Sequence, residues 1–331
     1  MKCDVIIPIY NSLEWVKLCI YALYQNTNKI DLGEVILIND KSNRKTTEYL
    51  RDISKKYFNI VLIENKKNLG FVKSCNYGMS ISKSDYVLLL NSDCVIAKNV
   101  IHKLLVAMNK DKTIGLMCPI SSKAANLSFP LPDGYNYQML NHLFEEKFSG
   151  KTFDACTVVG NCLMISKKCI ETVGYFDEIF DKGYTEETDY QFKAESYGFK
   201  AKVLIDSYVF HECRVSFGES KKQLSIRDEH LKIFFDRWGE QYQKKMNIYK
   251  KHDPIEYIYK HLKKELGKKY IMKKYKNMFF CQMDARLIEH INYLIINDKE
   301  IVIGNLENLK DEKIMLFSLI NNKSFGEYYE E

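Results

Sequence analysis

Three short stretches carry residue types that can act together chemically. Asn91-Ser92-Asp93 ends the apolar run Leu88-Leu89-Leu90 and is followed at once by apolar Cys94-Val95-Ile96. A cation bound to a diphosphate is expected to meet two carboxylates at such a strand end, and here Asp93 stands alone. Glu186, Glu187 and Asp189 crowd the expected start of a helix. Acids suit a helix N-terminus on electrostatic grounds alone. Crowded carboxylates also repel one another, which raises at least one pKa and suits a general base. His211 closes the apolar run Tyr208-Val209-Phe210. A lone histidine there is ordinarily structural, and its meaning changes only beside a metal.

A second set of residues is of the kind that lines a nucleotide pocket. Pro8, Tyr10 and Asn11 in "VIIPIYN" form either an ordinary strand-to-helix turn or an aromatic and amide lining for a nucleobase. Asp40 in "LINDKS" is placed either to accept the imide N–H of uracil or thymine or to cap the next helix. In "NLGFVKSCNYG", Asn68 and Gly70 precede a helix on which Lys73 and Asn76 lie three apart, broadly on one face. Such a start favours phosphate, with Lys73 adding charge, or is a capped surface helix. The chain has no G-x-G-x-x-G, no G-x-x-x-x-G-K-[ST] and no G-x-S-x-G, so dinucleotide, P-loop and serine-hydrolase chemistry lack their signatures.

These residues need a scaffold, and the first third supplies one in alternating strand and helix patterns. Strands are expected over 4–8, 34–38, 60–64 and 85–90, with helices over 13–25, 46–57 and 71–80. That alternation indicates βαβ units and a largely parallel sheet, whose ligands bind beyond the carboxyl ends of the strands. Residues 121–137, with Pro130, Pro132 and Gly134, read as a long loop or acceptor-side flap. A strand over 157–166, a helix over 167–173, a strand over 201–205 and a separate segment over 208–211 follow. Beyond about residue 220 the pattern turns helical, amphipathic and lysine-rich.

Bulk properties fit a soluble globular chain of one large domain with an appendage, or of two domains: 331 residues, 46% hydrophobic, 28% charged, net charge +6. Ten cysteines without a C-x-x-C pair, several inside apolar runs, fit a reducing cytoplasm better than a disulfide framework. No apolar stretch reaches the roughly 20 residues of a membrane span. The lysines of 244–276 form a basic patch, expected either on a solvated set of helices that closes the acceptor side or against an anionic membrane surface.

In order and spacing, "VIIPIYN", "INDKS", "NLGFVKSCNYG", "SDYVLLLNSDCVI", "GNCLMISKKCIETVGYFDEIF", "GYTEETDYQFKAESYGFKA" and "VFHE" resemble the family 2 glycosyltransferases of GT-A fold, notably the bacterial rhamnosyltransferase-like subgroup. The resemblance covers roughly the first 215 residues. It implies an α/β chain with a Rossmann-like mixed sheet flanked by helices, a catalytic domain over 1–220 and a mainly helical extension over 221–331. It further implies inverting transfer from a UDP- or dTDP-linked sugar to a hydroxyl of a glycan, glycolipid or protein, with Mn2+ or Mg2+, in bacterial surface glycoconjugate synthesis. No nucleic-acid partner is implied, and the place of action is the cytoplasm or the inner membrane face. By the same resemblance, Pro8, Tyr10, Asn11 and Asp40 surround the base and ribose. Asn68, Gly70, Lys73, Asn76 and Asn91 line the donor, and Asp93 and His211 hold the metal. Glu187, or alternatively Glu186, is the base, with Asp189 positioning it. Asn39 stands where many members carry a second Asp, and Glu187 where many carry Asp, which leaves the choice between the two glutamates open. The alternative is a non-catalytic sugar-nucleotide-binding or scaffold subunit, against which the joint presence of Glu186, Glu187, Asp189 and His211 argues. A sugar-nucleotide pyrophosphorylase would need a Gly-rich basic N-terminal loop that "IPIYNSLEWVK" lacks.

Overall fold

The computed structural model describes residues 1–132, 134–212, 221–266, 293–297 and 300–304. Its first half builds the expected parallel units. The strands are β1 (Cys3–Ile9), β2 (Leu32–Asn39), β3 (Ile60–Glu64) and β4 (Tyr86–Leu90), and the helices α1 (Leu13–Asn26), α2 (Arg44–Lys56) and α3 (Phe71–Ile81). β1 pairs in parallel with β2 on one side and β4 on the other, and β2 pairs in parallel with β3. Strands buried on both faces have to be apolar throughout, which is why 5–9 and 86–90 read as unbroken hydrophobic runs. The one charge inside β1, Asp4, is satisfied by Ser82 Oγ, Ser84 Oγ and the amides of Glu34, Lys83 and Ser84. Burial opposes its ionisation, but these donors outweigh it and bring the carboxyl below its ordinary value.

The second half turns the sheet mixed. It contains β5 (Cys94–Ile96), α4 (Val100–Lys110), β6 (Ile114–Ser121), α5 (Tyr137–Phe148), β7 (Thr152–Asp154), β8 (Cys162–Ser166), α6 (Lys167–Val173), α7 (Glu186–Ser196) and β9 (Lys200–His211). β8 lies antiparallel to both β4 and β6, and β6 runs parallel to β9. Among the described residues this gives a nine-stranded sheet ordered β3-β2-β1-β4-β8-β6-β9-β5, with β7 on β9. The strand expected over 157–166 is shorter, and the two segments expected over 201–205 and 208–211 are one strand. A register shift at Pro119/Ile120, where the partner jumps from Leu204 to Tyr208, keeps them continuous. β9 therefore meets β7 through its first half and β5 through its last three residues.

The 121–137 segment is no free flap. Leu127 and Phe129 are fully buried, and the Phe129 ring stands edge-on to Phe144. The extension also joins this body: Ile255, Ile258 and Leu262 of α9 (Pro254–Leu262) belong to the same core as β1 and β4. The preceding long helix is α8 (Lys221–Tyr249). The boundary expected at 220/221 borders residues 213–220, which lie outside the described residues, as do Lys268, Lys269, Lys273, Lys274 and Lys276 of the basic patch. A hairpin of β10 (Tyr293–Asn297) and β11 (Glu300–Gly304) occurs within the stretch expected to be mainly helical.

Candidate active site

Strand order 3-2-1-4 makes the sheet change direction of growth at β1, so a crevice opens beyond the carboxyl ends of β1, β2 and β4. Tyr10 and Asn11, Asp40, and Asn91 with Asp93 follow those three ends. Beyond β1 the chain turns through Asn11 (φ 62°) and Ser12 (φ 56°), both left-handed. Asn11 fixes this turn: its N–H donates to Ser42 Oγ at 2.8 Å and its Oδ1 accepts from Asn43 N at 2.7 Å. That amide is thus spent on joining two turns. Tyr10 beside it is 40% exposed, leaving its ring face open to a planar group, and Pro8 is half-buried in the strand.

Asp40 is buried and shapes the next loop. Its Oδ1 accepts from Leu69 N at 2.7 Å and Asn65 Nδ2 at 2.8 Å, and its Oδ2 from Gly70 N at 2.8 Å. A carboxylate offers about four acceptor positions, so one remains for a ligand. Asn68 donates to the Asp40 carbonyl at 3.3 Å and stays exposed. Gly70 takes φ 88°, and a Cβ there would meet Asp181 O at 3.1 Å, so glycine is required on both counts.

Of the two readings of the start of α3, phosphate site or capped surface helix, its hydrogen bonds favour the second. Leu69 and Gly70 give their amides to Asp40, and Val72 gives its own to Asp181 O at 3.2 Å. Asn76 is likewise corrected from donor lining to a structural role. Its Nδ2 donates to Phe176 O at 2.9 Å and its Oδ1 accepts from Phe176 N at 3.0 Å. Lys73 faces Glu178 at 3.9 Å instead of the crevice's other residues. The side chains of this helix hold the 176–181 segment, which leads into α7.

The β4–β5 turn carries Asn91 and Asp93. Asn91 N donates to Asn161 O at 2.9 Å, while the buried Asn91 Oδ1 has no protein partner. Asp93 meets the distant histidine: its Oδ1 lies 3.4 Å from His211 Nε2, with both side chains about 10% exposed. The pairing of Cys94 with His211 in the antiparallel β5–β9 ladder produces this meeting. His211 Nδ1 is 2.8 Å from the carbonyl of Lys123, which can only accept, so that nitrogen carries the proton. Asn161 Nδ2, 3.0 Å from the same nitrogen, has Ser121 Oγ at 3.0 Å as its own acceptor. In the neutral ring, Nε2 then presents a lone pair to a carboxylate, an arrangement that a proton or a cation between them completes. Burial works against a charged Asp93, yet His211 and Lys123 hold it below its ordinary value. A carboxylate and an imidazole whose other nitrogen is fixed by a backbone carbonyl form a donor set that fits a divalent cation.

The carboxylates at α7 complete the crevice. The loop before the helix has positive φ at Asp181, Gly183, Tyr184 and Thr185, a local strain of the kind found at functional sites. Glu186 is buried, Glu187 keeps partial exposure, and Oε2 of each lacks a protein partner. Glu187 Oε1 accepts from Gly160 N at 3.4 Å, so the adjacent residues Gly160 and Asn161 link this carboxylate to His211. Burial first, and then the charge of Glu187, push Glu186 well above the ordinary range; burial also raises Glu187. Asp189 Oδ1 accepts from Arg237 Nη1 at 3.1 Å and Trp238 Nε1 at 2.9 Å, so it ties α7 to α8 two residues after Glu187.

Sequence reading passed over Cys94, Lys123, Asn161 and Glu212. Lys123 donates to Glu212 O at 2.7 Å and lies 3.3 Å from its Oε1, which brings a cation and another carboxylate beside Asp93 and His211. Adjacency to Asp93, to His211 and to the "GNC" turn was the one signal that could have found three of them.

Comparison with known proteins bears on family and fold. A poly(ribitol-phosphate) beta-glucosyltransferase of Bacillus spizizenii is 32% identical over 102 residues, 30% of this chain and 16% of that protein. The glycosyltransferase MJ1057 of Methanocaldococcus jannaschii is 21% identical over 212 residues, 62% of this chain and 66% of that protein. The chain thus spans from about a sixth to two thirds of the length of these relatives. GalNAc-T7, crystallised with UDP, GalNAc and Mn2+, superposes with TM-score 0.57 at 16% identity, over 73% of this chain and 49% of that one. Residues 1–349 of Staphylococcus aureus TarS, crystallised with UDP-GlcNAc, give 0.52 at 16% identity, over 71% and 65%. These superpositions show a shared fold, the GT-A arrangement. The sequence profile described as Glycosyl transferase family 2 matches residues 4–174, just over half of the chain, and the chain therefore belongs to that family.

Proposed function

We propose that this protein transfers a sugar from a nucleotide-diphospho-sugar to an acceptor hydroxyl with inversion at the anomeric carbon, in the presence of Mn2+ or Mg2+. The observation that carries the reading is the approach of Asp93 to His211 Nε2, together with a buried Glu186 and a partly buried Glu187 whose Oε2 atoms each lack a protein partner. Tyr10 supplies a ring face for the base, and the remaining acceptor position of Asp40 suits an imide N–H, as in uracil or thymine. Asn91 Oδ1 and Asn68 face the ribose and diphosphate, and the Lys123 ammonium adds positive charge on that side. Asp93 and His211 hold the cation, which when bound stabilises the negative charge gathering on the departing diphosphate. Few protein ligands suffice, because phosphate oxygens and waters complete the coordination of such ions.

Glu187 takes the acceptor proton as the acceptor oxygen bonds to the sugar carbon from the face opposite the leaving group. The bond to the diphosphate breaks with its electron pair, and the proton stays on the Glu187 carboxylate. Partial exposure favours Glu187 over Glu186 for this role, since a base has to reach an incoming hydroxyl. Burial raises the pKa of Glu187, which makes it the stronger base, and burial together with the Glu187 charge raises that of Glu186 well above the ordinary range.

The relatives act with several sugars: GalNAc-T7 binds GalNAc, TarS binds UDP-GlcNAc, and the Bacillus enzyme is a glucosyltransferase. A panel of UDP-, dTDP- and GDP-sugars, each with and without Mn2+, should yield at least one that the cation makes stabilise the protein thermally and that is turned over. Asp93→Asn and His211→Ala should each abolish the Mn2+-dependent part. Turnover unaffected by chelation and by both substitutions would remove the cation from the reading.

A further inference from the structure

The transfer chemistry uses Asp93 and His211, yet a third donor lies beside them. Cys94 is the β5 residue paired directly with His211, and paired residues of an antiparallel ladder project to the same face. The Cys94 sulfur, an Asp93 carboxylate oxygen and a His211 ring nitrogen all lie within 4.8 Å of one another. All three residues are more than nine-tenths buried. The thiol reaches Asn161 O at 3.3 Å, and the same Asn161 sets its amide against the His211 ring. One residue thus braces both donors from behind.

Hard cations such as Mg2+ and Mn2+ gain little from sulfur, whereas zinc, cobalt and cadmium bind thiolate and imidazole strongly. A site of one carboxylate and one imidazole needs the diphosphate to hold its cation; a site that also offers a thiolate does not. We propose that Cys94 is a third protein ligand and that Asp93, Cys94 and His211 together take a thiophilic divalent cation of the zinc and cobalt class from solution, without nucleotide. This rests on the reading of Asp93 and His211 as the cation's holders and adds a selectivity to it. On binding, the metal–sulfur bond replaces the S–H bond, the proton passes to buffer, and no oxidation state changes.

The test uses the full chain, stripped of metal and titrated with Co2+ in the absence of nucleotide. An intense near-ultraviolet thiolate-to-cobalt band should appear, saturate at one equivalent and vanish on adding Zn2+. It should be missing in Cys94→Ser, whose Zn2+ affinity should fall by more than the ~100-fold that losing an outer-shell partner can cost. Mn2+ binding in the presence of UDP, followed by electron paramagnetic resonance, should survive in Cys94→Ser. Zinc-edge X-ray absorption of the unmutated protein should show one sulfur neighbour, a readout independent of how the variant folds. A band that persists in Cys94→Ser, or a zinc shell of nitrogen and oxygen alone, overturns the inference. If that shell lacks sulfur while Mn2+ with UDP still depends on Asp93, the Asp93–His211 reading stands without Cys94. If neither metal binds and Asp93→Asn changes nothing, the underlying reading fails as well.

Discussion

Glu186 and Glu187 show how the crevice balances function against stability. Each buries carboxylate surface, each leaves an oxygen without a protein donor, and both titrate above the ordinary glutamate range. A carboxyl raised on folding favours the folded state through its neutral form. That contribution is complete below the unfolded value of about 4.3 and is lost as pH rises through the folded values. Glu186→Gln should therefore stabilise the protein by about 1–2 kcal/mol at pH 8, within the range of gains from relieving a functional site. The gain should shrink toward zero near pH 4, as denaturant titrations at the two pH values would show; equal or negative shifts at pH 8 would contradict buried charge at this pair. At this scale the sequence offered chemically apt residue types at strand ends, Asp93 and His211, and at a helix start, Glu186 and Glu187. It could not tell an amide open to a ligand from one the protein uses itself. Asn11, Asn76 and Asp189 all bond groups far away in sequence, to Asn43, to Phe176 and to Arg237 with Trp238.

At the scale of elements, α8 packs against the loop that precedes α7. Arg237 bridges Asp177, at 2.9 Å, and Asp189, at 3.1 Å, and its guanidinium lies 5.7 Å from the centre of the Phe180 ring. His230 Nδ1 lies 2.9 Å from Gly183 O and 3.2 Å from Tyr184 O, within the strained loop that delivers Glu186 and Glu187. Arg237→Ala leaves Asp189 buried with Trp238 as its remaining side-chain donor from α8, a loss of about 1–2 kcal/mol, because the arginine itself is a third exposed and its pairs are screened by water. Its effect on kcat should exceed its effect on donor affinity, because the loop carries the base and not the nucleotide. Arg237→Lys should recover little, since a lysine cannot bridge both carboxylates as the planar fork does. Steady-state kinetics that showed full activity in Arg237→Ala would separate α8 from the site. The helices and strands of the first third were legible because apolar runs and helical spacing are local. The three-residue β5 and the bulge that joins the halves of β9 are not local, and the meeting of His211 with Asp93 depends on both.

For the whole molecule, a mixed sheet grown from a parallel half explains why the site draws on the entire described body. The parallel half supplies Tyr10, Asp40 and Asn91, and the antiparallel half supplies Asn161, His211 and the start of α7. The family profile ends at residue 174, before α7 and β9, so the assignment of base and second metal ligand rests on geometry. Among the described residues no helix is long and apolar enough to cross a membrane. Parts of the lysine-rich stretch are already engaged: Lys244 pairs with Glu240, and Lys245 bonds Glu195 on α7. In the proposed reaction Glu187 removes the acceptor proton beside a cation held by Asp93 and His211. That role is tested most directly by single-turnover transfer and donor binding in Glu187→Gln and Glu186→Gln, with the nucleotide sugar that the panel selects. Glu187→Gln should bind donor within about threefold of the unmutated protein and lose roughly 10²–10⁴-fold in transfer, the usual worth of a general base, while Glu186→Gln retains transfer. Transfer that persists in Glu187→Gln and disappears in Glu186→Gln would contradict the assignment.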